Sequence, residues 1–256
     1  MNGSARSLAS LNLARTYLAL GRASPDSRIV EQSEFMACTG PVAHPVCNFA
    51  IAQDINAGAA RALADLACDR PTFNVYVASE QADDPGSRLC AEGFRQAYRL
   101  RLMVGEGTRE ETPCVLQRCG SAERLETADF MVREFFGRSE SASRDAIRSA
   151  TAAAPELELY EVRDCGTRVA AAMLSRSEGL VGLYNLCVRF DMRGKGWGST
   201  IVRSILALAG AEGLSVSLQC DPSLEVWYER LGFHAVGSVD VYVLDRSPQP
   251  DIMKSQ

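Results

Sequence analysis

Histidine is nearly missing from this chain: only His44 and His234 occur in 256 residues. The nine cysteines, scattered from Cys38 to Cys220, contain no Cys-x-x-Cys pair. Zinc sites need clustered Cys and His ligands, so the pattern speaks against a bound metal. An odd, unpatterned cysteine set in a chain of this length also speaks against a disulfide framework; it points to reduced, buried thiols and a cytoplasmic setting. Aromatic residues are sparse at 7%, and neither sign of charge dominates, since 27 Lys and Arg against 32 Asp and Glu leave a net charge of −5. That excludes a general binder of nucleic acid or anionic membrane, whose affinity rests on a basic surface. No apolar run reaches the roughly 20 residues needed to cross a bilayer.

What is present is enough to fold. At 46% hydrophobic residues, the chain has material for one large domain or two of about 100–150 residues. The opening stretch "MNGSARSLASLNLARTYLALGRAS" is interrupted by Arg15, and Leu8, Leu11, Ala14 (or Tyr17) and Leu18 recur at helical spacing. This predicts an amphipathic helix rather than a signal peptide. The polar stretch "VGEGTREETP" then divides the chain near its middle. It suggests a first unit over 1–104, a linker at 105–112, a second unit over 113–246 and a disordered tail at 247–256.

Strand and helix patterns alternate after that division. "CVLQRC" reads as a strand, "SAERLETADFMVREFFG" as a helix with Ser121 as candidate N-cap, and "ESASRDAIRSATAAA" as a second helix. "LELYEVRD", "RVAAAMLSR", "GLYNLCV" and "LSVSLQC" read as strands. "DPSLEVWYERLG" reads as a helix capped by Asp221 with Pro222 at its first position, before a closing strand "FHAVGSVDVYVLD". The first half repeats part of this order: a strand in "CNFAIAQ", a helix in "INAGAARALADLACD", a strand in "TFNVYVAS", and then "DDPGSRLCAEGFRQAYRLRLM". The last of these matches "CDPSLEVWYERLGFHAVGSVDVYVL" in its Asp-Pro, short helix, Gly-Phe and β-run. Four elements in the same order suggest a tandem duplication.

The copies differ between strand and helix. The second half inserts "MRGKGWGST", three glycines in five residues flanked by Arg193 and Lys195; the first half has Gly58 alone. A P-loop would require Lys before Ser199, and a dinucleotide-binding turn would space its glycines GxGxxG rather than GxGxG. Strand, glycine turn and amphipathic helix in sequence do aim successive N–H groups and a helix dipole at one point, which suits an anion.

"VRFDMRGKGWGSTIVRSIL" resembles the acyl-coenzyme A signature of the GNAT superfamily of N-acetyltransferases, Arg/Gln-x-x-Gly-x-Gly/Ala, on Arg193, Gly196 and Gly198. The family's second pattern, Asn-x-x-Ala-x-x-x-Tyr-x-x-x-Gly-Phe, appears as Asp221, Leu224, Tyr228, Gly232 and Phe233, with Asp in place of Asn and Leu in place of Ala. The resemblance covers about Thr112 to Asp245 and implies an α/β fold with a mixed, mostly antiparallel sheet flanked by helices, here as two tandem GNAT-like domains, the first a degenerate copy or a helical-capped α/β unit lacking the acetyl-CoA loop. It implies acetyl-CoA as co-substrate, with no metal, and direct transfer to the primary amine of a small molecule or peptide. Arg193, Gly194, Lys195, Gly196, Trp197, Gly198 and Ser199 would hold the pyrophosphate. Leu186, Cys187 and Val188 would pair with pantetheine, the Val188 N–H serving the thioester carbonyl, and Asp221 and Tyr228 would complete the cofactor side. Tyr228 stands where the family carries its general acid. Glu161, through a water, and Asp221, if not simply a cap, are the candidate bases; Tyr184 and Asn185 are candidate substrate contacts. Cys187 and Cys220 are expected to pack, as is His234. A non-catalytic acyl-CoA sensor is the alternative, and monomer or homodimer stays undecided.

Overall fold

The computed structural model describes residues 2–52, 55–78, 85–109, 114, 116–137 and 140–245. The elements of the first half are α1 (Asn2–Ala23), β1 (Arg28–Glu31), β2 (Phe35–Thr39), β3 (Phe49–Ala52), α2 (Ala57–Cys68), β4 (Asn74–Val77), α3 (Pro85–Ala91) and β5 (Phe94–Glu106). The second half continues with β6 (Gln117–Arg118), α4 (Arg124–Phe136), α5 (Ser141–Ala153), β7 (Leu157–Asp164), β8 (Thr167–Ser177) and β9 (Leu180–Val188). It closes with α6 (Trp197–Ala211), β10 (Ser215–Cys220), α7 (Glu225–Glu229) and β11 (Phe233–Leu244). The tail at 247–256 and part of the polar stretch, residues 110–113, lie outside the described residues.

All eleven strands join one mixed sheet in the order β1-β2-β3-β4-β11-β5-β10-β9-β8-β7-β6. Two pairs are parallel, β3 with β4 and β9 with β10, and the rest antiparallel. Each parallel pair is followed by a strand from the other half: β11 lies on β4, and β5 lies on β10. β5 and β11 pair with each other at the centre, where Phe94 faces Leu244 and Phe233 faces Gly105. Each Gly-Phe start therefore meets the end of the opposite strand. Gly93 and Gly232 both turn the chain out of the preceding helix at positive φ, +85° and +92°, a conformation glycine adopts without Cβ strain. The repeat seen in the sequence is thus a pseudo-twofold exchange of final strands. The sheet runs unbroken through the expected division, and Gly105 and Glu106, placed in the linker, are the last residues of β5.

Side-chain alternation along the strands divides the core. Val181 and Leu183 of β9 and Val216 and Leu218 of β10 pack on Ile201, Val202 and Ile205 of α6. The opposite face carries Leu13 of α1, Phe130 and Met131 of α4, and Leu159 and Met173 of the sheet. The helix α1 is buried more broadly than a single stripe predicts: Asn12 and Thr16 are buried with Leu13 and Ala14. Asn12 is satisfied there, donating to Ser175 O at 2.9 Å and accepting from the Tyr184 hydroxyl at 2.8 Å. A side chain at Gly182 would overlap Asn12 Oδ1, so this glycine lets the first half's helix sit directly on β9.

Two local expectations change and one element is added. The structure adds the β1–β2 hairpin, and the run "CVLQRC" supplies only the two residues of β6. Ser121 lies in a turn before α4, whose N-cap position is Glu123 without a side-chain hydrogen bond. Arg124, the first residue of that helix, donates instead to the carbonyls of Thr151, Ala152 and Ala154 at the end of α5 and of Leu157 at the start of β7. Among the described residues no helix is long and apolar enough to cross a membrane, and no group of three His, Cys, Asp or Glu side chains is placed to hold a metal ion.

Candidate active site

The strands β9 and β10 are paired only from Leu180 with Ser215 to Leu183 with Leu218. Beyond that point β10 stays with β5 as far as Cys220, while β9 stays with β8 as far as Val188, so the two strands part. Asn185 at the parting has φ +48°, and the β8–β9 register shifts there. One extra residue reverses the side-chain phase. Tyr184 points to the α1 side and is buried in the core around that helix, whereas Leu186 and Val188 reach the α6 side. Arg189 N–H donates to Val169 O at 2.9 Å. Ladder alternation then turns the N–H and C=O of Val188 away from β8, toward the gap.

Three glycines and a 3₁₀ turn carry the chain from β9 into α6. Gly194 and Gly196 have φ of +75° and +86°, and an added Cβ at either would meet nothing within 4 Å. The left-handed Gly196 is the N-cap of α6, without a side-chain cap. The first N–H to find a protein acceptor is that of Thr200, bonded to Gly196 O at 3.1 Å. Among the described residues, the backbone N–H groups of Gly194 to Ser199 have no protein acceptor. A run of such donors at a helix start is an anion site in both geometry and dipole.

The donors border a groove of about 670 Å³, lined by β9 beyond its parting from β10 and by the segment that follows β10. Of the residues expected from the sequence, Leu186, Cys187, Val188, Arg193, Gly194, Gly196, Trp197, Gly198, Ser199 and Tyr228 line it. Glu134 and Phe135 of α4, Met192, Leu224 and Trp227 line it as well. The contributions from α4 had no signal in the sequence, because only the tertiary fold brings that helix end to the loop. Trp227 was legible as the neighbour of Tyr228.

Several expected residues sit elsewhere or act differently. Arg193 is spent on the protein: Nε donates to Val188 O at 2.9 Å and Nη2 to Glu134 Oε2 at 2.9 Å. Lys195 is exposed beside the loop with Nζ 3.5 Å from Met192 Sδ, and does not line the groove. Asp221 is a cap, accepting from Ser223 N–H at 2.9 Å and Ser223 Oγ at 2.6 Å, and these bonds lower its pKa. Glu161 is 1% exposed and lies outside the groove, bound by Arg163 Nε at 2.6 Å and Arg168 Nε at 2.5 Å. Burial pushes its carboxyl up, but the two arginines outweigh burial and hold it below the usual range. A carboxylate saturated by two guanidinium groups and removed from the gap is structural, so the base role is withdrawn. Tyr184 faces Asn12, and Asn185 forms the bulge; neither lines the groove.

Tyr228 is buried between Trp227 and Phe233, with ring centroids 4.6 Å and 5.6 Å away. Burial, with Cys220 nearby, raises its pKa well above the phenolic value. Its hydroxyl has no protein hydrogen bond among the described residues. Burial pushes Cys187 up to about 12 and Cys220 up to about 11, so neither thiol is a ready nucleophile.

Residues 156–235 match the family model described as an acetyltransferase (GNAT) domain. That stretch of the second half is thus similar to a GNAT acetyltransferase domain. Solved structures of the same fold include a GCN5-related N-acetyltransferase from Kribbella flavida, 16% identical, with a TM-score of 0.64 over 94% of this chain and 96% of that one. A GNAT-family protein from Novosphingobium aromaticivorans is 20% identical, with a TM-score of 0.57 over 85% and 91% of the two chains. A tandem GNAT protein from the clavulanic acid biosynthesis pathway is 12% identical, with a TM-score of 0.56 over 89% and 86%. A search of curated proteins finds no match. The matched stretch spans β7 to the start of β11, and so contains both the parted strands and the glycine turn.

Proposed function

We propose that the protein is an N-acetyltransferase that moves the acetyl group of acetyl-CoA directly to a primary amine of a small molecule or peptide. One observation carries this reading: the unpaired N–H run from Gly194 to Ser199 borders a groove lined by the freed end of β9, Leu186 to Val188, and by Tyr228. The open space above Gly194 and Gly196 accommodates a diphosphate without a Cβ in its way. Bound there, acetyl-CoA supplies the activated acyl group. The chain's own residues bind, orient and supply a proton. The main chain of Leu186 to Val188 offers edge groups to the pantetheine amides as an added strand would. The Val188 N–H, turned to the gap, is the donor assigned to the thioester oxygen as it gains charge. Tyr228, kept protonated by burial, is the acid assigned to the departing thiolate.

In this reading residues 113–246 hold the chemistry, and residues 1–104 provide support without a second cofactor site. The corresponding helix start in the first half is closed from within. Asn56 Oδ1 accepts from Ala59 N–H at 2.8 Å, and its amide donates to Glu34 at 3.0 Å. One acyl-CoA per chain is therefore expected.

A non-catalytic acyl-CoA-binding module is the second reading, favoured by one observation: the only carboxylate among the groove-lining residues, Glu134, is paired with Arg193. Incubating the protein with acetyl-CoA and a pool of amines, with a thiol-detecting dye and mass spectrometry of the pool, separates the two. Amine-dependent thiol release with an acetylated amine is expected. Saturable acetyl-CoA binding with no release across the pool overturns the enzyme reading in favour of the binding module.

A further inference from the structure

We propose that Glu134 is a positioning residue for the glycine cradle, acting through Arg193; this rests on the reading of the groove as an acyl-CoA site. Glu134 lies at the end of α4, its side chain 18% exposed and its Oε2 2.9 Å from Arg193 Nη2. The same nitrogen also donates to the Glu134 carbonyl at 3.4 Å. Arg193 Nε holds the last carbonyl of β9, at Val188, and the guanidinium carbon stands 5.4 Å from the centre of the Phe190 ring. One side chain thus ties the end of α4, the end of β9 and the 3₁₀ turn Phe190–Met192 together, immediately before Gly194. The glycines that follow have no side chains to fix them, and an added Cβ at Gly194 or Gly196 would touch nothing. The position of the cradle is therefore set from its Arg193 end, and Glu134 sets Arg193.

Electrostatics makes the proposal testable by sign. A carboxylate on the wall of a site for a diphosphate repels the ligand, so removing a carboxylate that acts only by its charge would tighten binding. Removing a residue that preorganises the donors would weaken it. The test is calorimetry of coenzyme A and of pantetheine, which lacks the diphosphate, with wild type, Glu134→Ala, Glu134→Gln, Arg193→Ala and the double alanine variant. Coenzyme A is expected to bind Glu134→Ala about tenfold more weakly and Glu134→Gln only about two- to threefold more weakly, because the amide oxygen still accepts from Arg193. The double variant should be little worse than Arg193→Ala alone, and pantetheine binding should fall less than coenzyme A binding in every variant. Tighter coenzyme A binding by the Glu134 variants overturns the role, as does an unchanged Kd accompanied only by a lower Tm. Failure of wild type itself to bind coenzyme A overturns the reading of the groove and this role with it.

Discussion

Gly198→Glu is expected to abolish acetyl-CoA binding while leaving the protein as stable as before, or slightly more so. Gly198 is the second residue of α6. An added Cβ there meets the Trp227 ring at 3.5–3.6 Å, an ordinary contact, so the side chain enters without displacing the helix. A carboxylate in the first turn of a helix interacts favourably with the exposed N–H groups, by about 0.3–1 kcal/mol. That same carboxylate occupies the donors assigned to the diphosphate and repels its charge. A loss of at least about a hundredfold in affinity, roughly 2.7 kcal/mol, is expected. Gly196→Trp makes the contrast, since the left-handed backbone at Gly196, φ +86°, makes any side chain there cost about 1–3 kcal/mol. It should lose stability and binding together. Calorimetry with acetyl-CoA and thermal melts of both variants check this, and undiminished binding by Gly198→Glu would contradict the cradle.

Tyr228→Phe is expected to lower kcat by about ten- to a hundredfold with little change in KM for acetyl-CoA. General acids contribute about 10²–10⁴-fold. The leaving thiol, with an ordinary pKa near 8.5, departs partly unaided, which places the effect at or below the low end of that range. The ring stays packed between Trp227 and Phe233, and the hydroxyl removed has no protein partner among the described residues, so the Tm should hardly move. Burial raises the Tyr228 pKa above its ordinary value of 10.0. The acid is then fully protonated at neutral pH, and deprotonation of Tyr228 should produce no fall in kcat below pH 10. Steady-state rates against pH for wild type and variant check both points. An unchanged kcat would make Tyr228 a packing residue.

Local signals were legible in the sequence where neighbours in the chain supply the physics. The span β7 follows "LELYEVRD" residue for residue, Asp221 caps the turn it begins, and the glycines open α6. Tertiary overrides were not legible. A strict period of two places Tyr184, Leu186 and Val188 on one face, but the bulge at Asn185 separates Tyr184 from the other two. The glycine and acidic residue after Val104 suggest a loop, yet Gly105 lies in a central strand against the Phe233 ring, where a Cβ would come within 3.1 Å. Glu161 has the chemistry of a base and the alternation of a strand residue; only the fold reveals that Arg163 and Arg168 neutralise it. The exchange of β5 and β11 between halves leaves no mark in either half alone.

Amide chemical shifts of the ¹⁵N-labelled full chain, followed during titration with coenzyme A, address the cradle most directly. The expected result is saturation at one ligand per chain, with the largest changes at the N–H groups of Gly194 to Ser199 and further changes at Leu186 to Val188. Saturable binding that leaves those amides unmoved, or no binding at all, would contradict the assignment of the helix start as the diphosphate site.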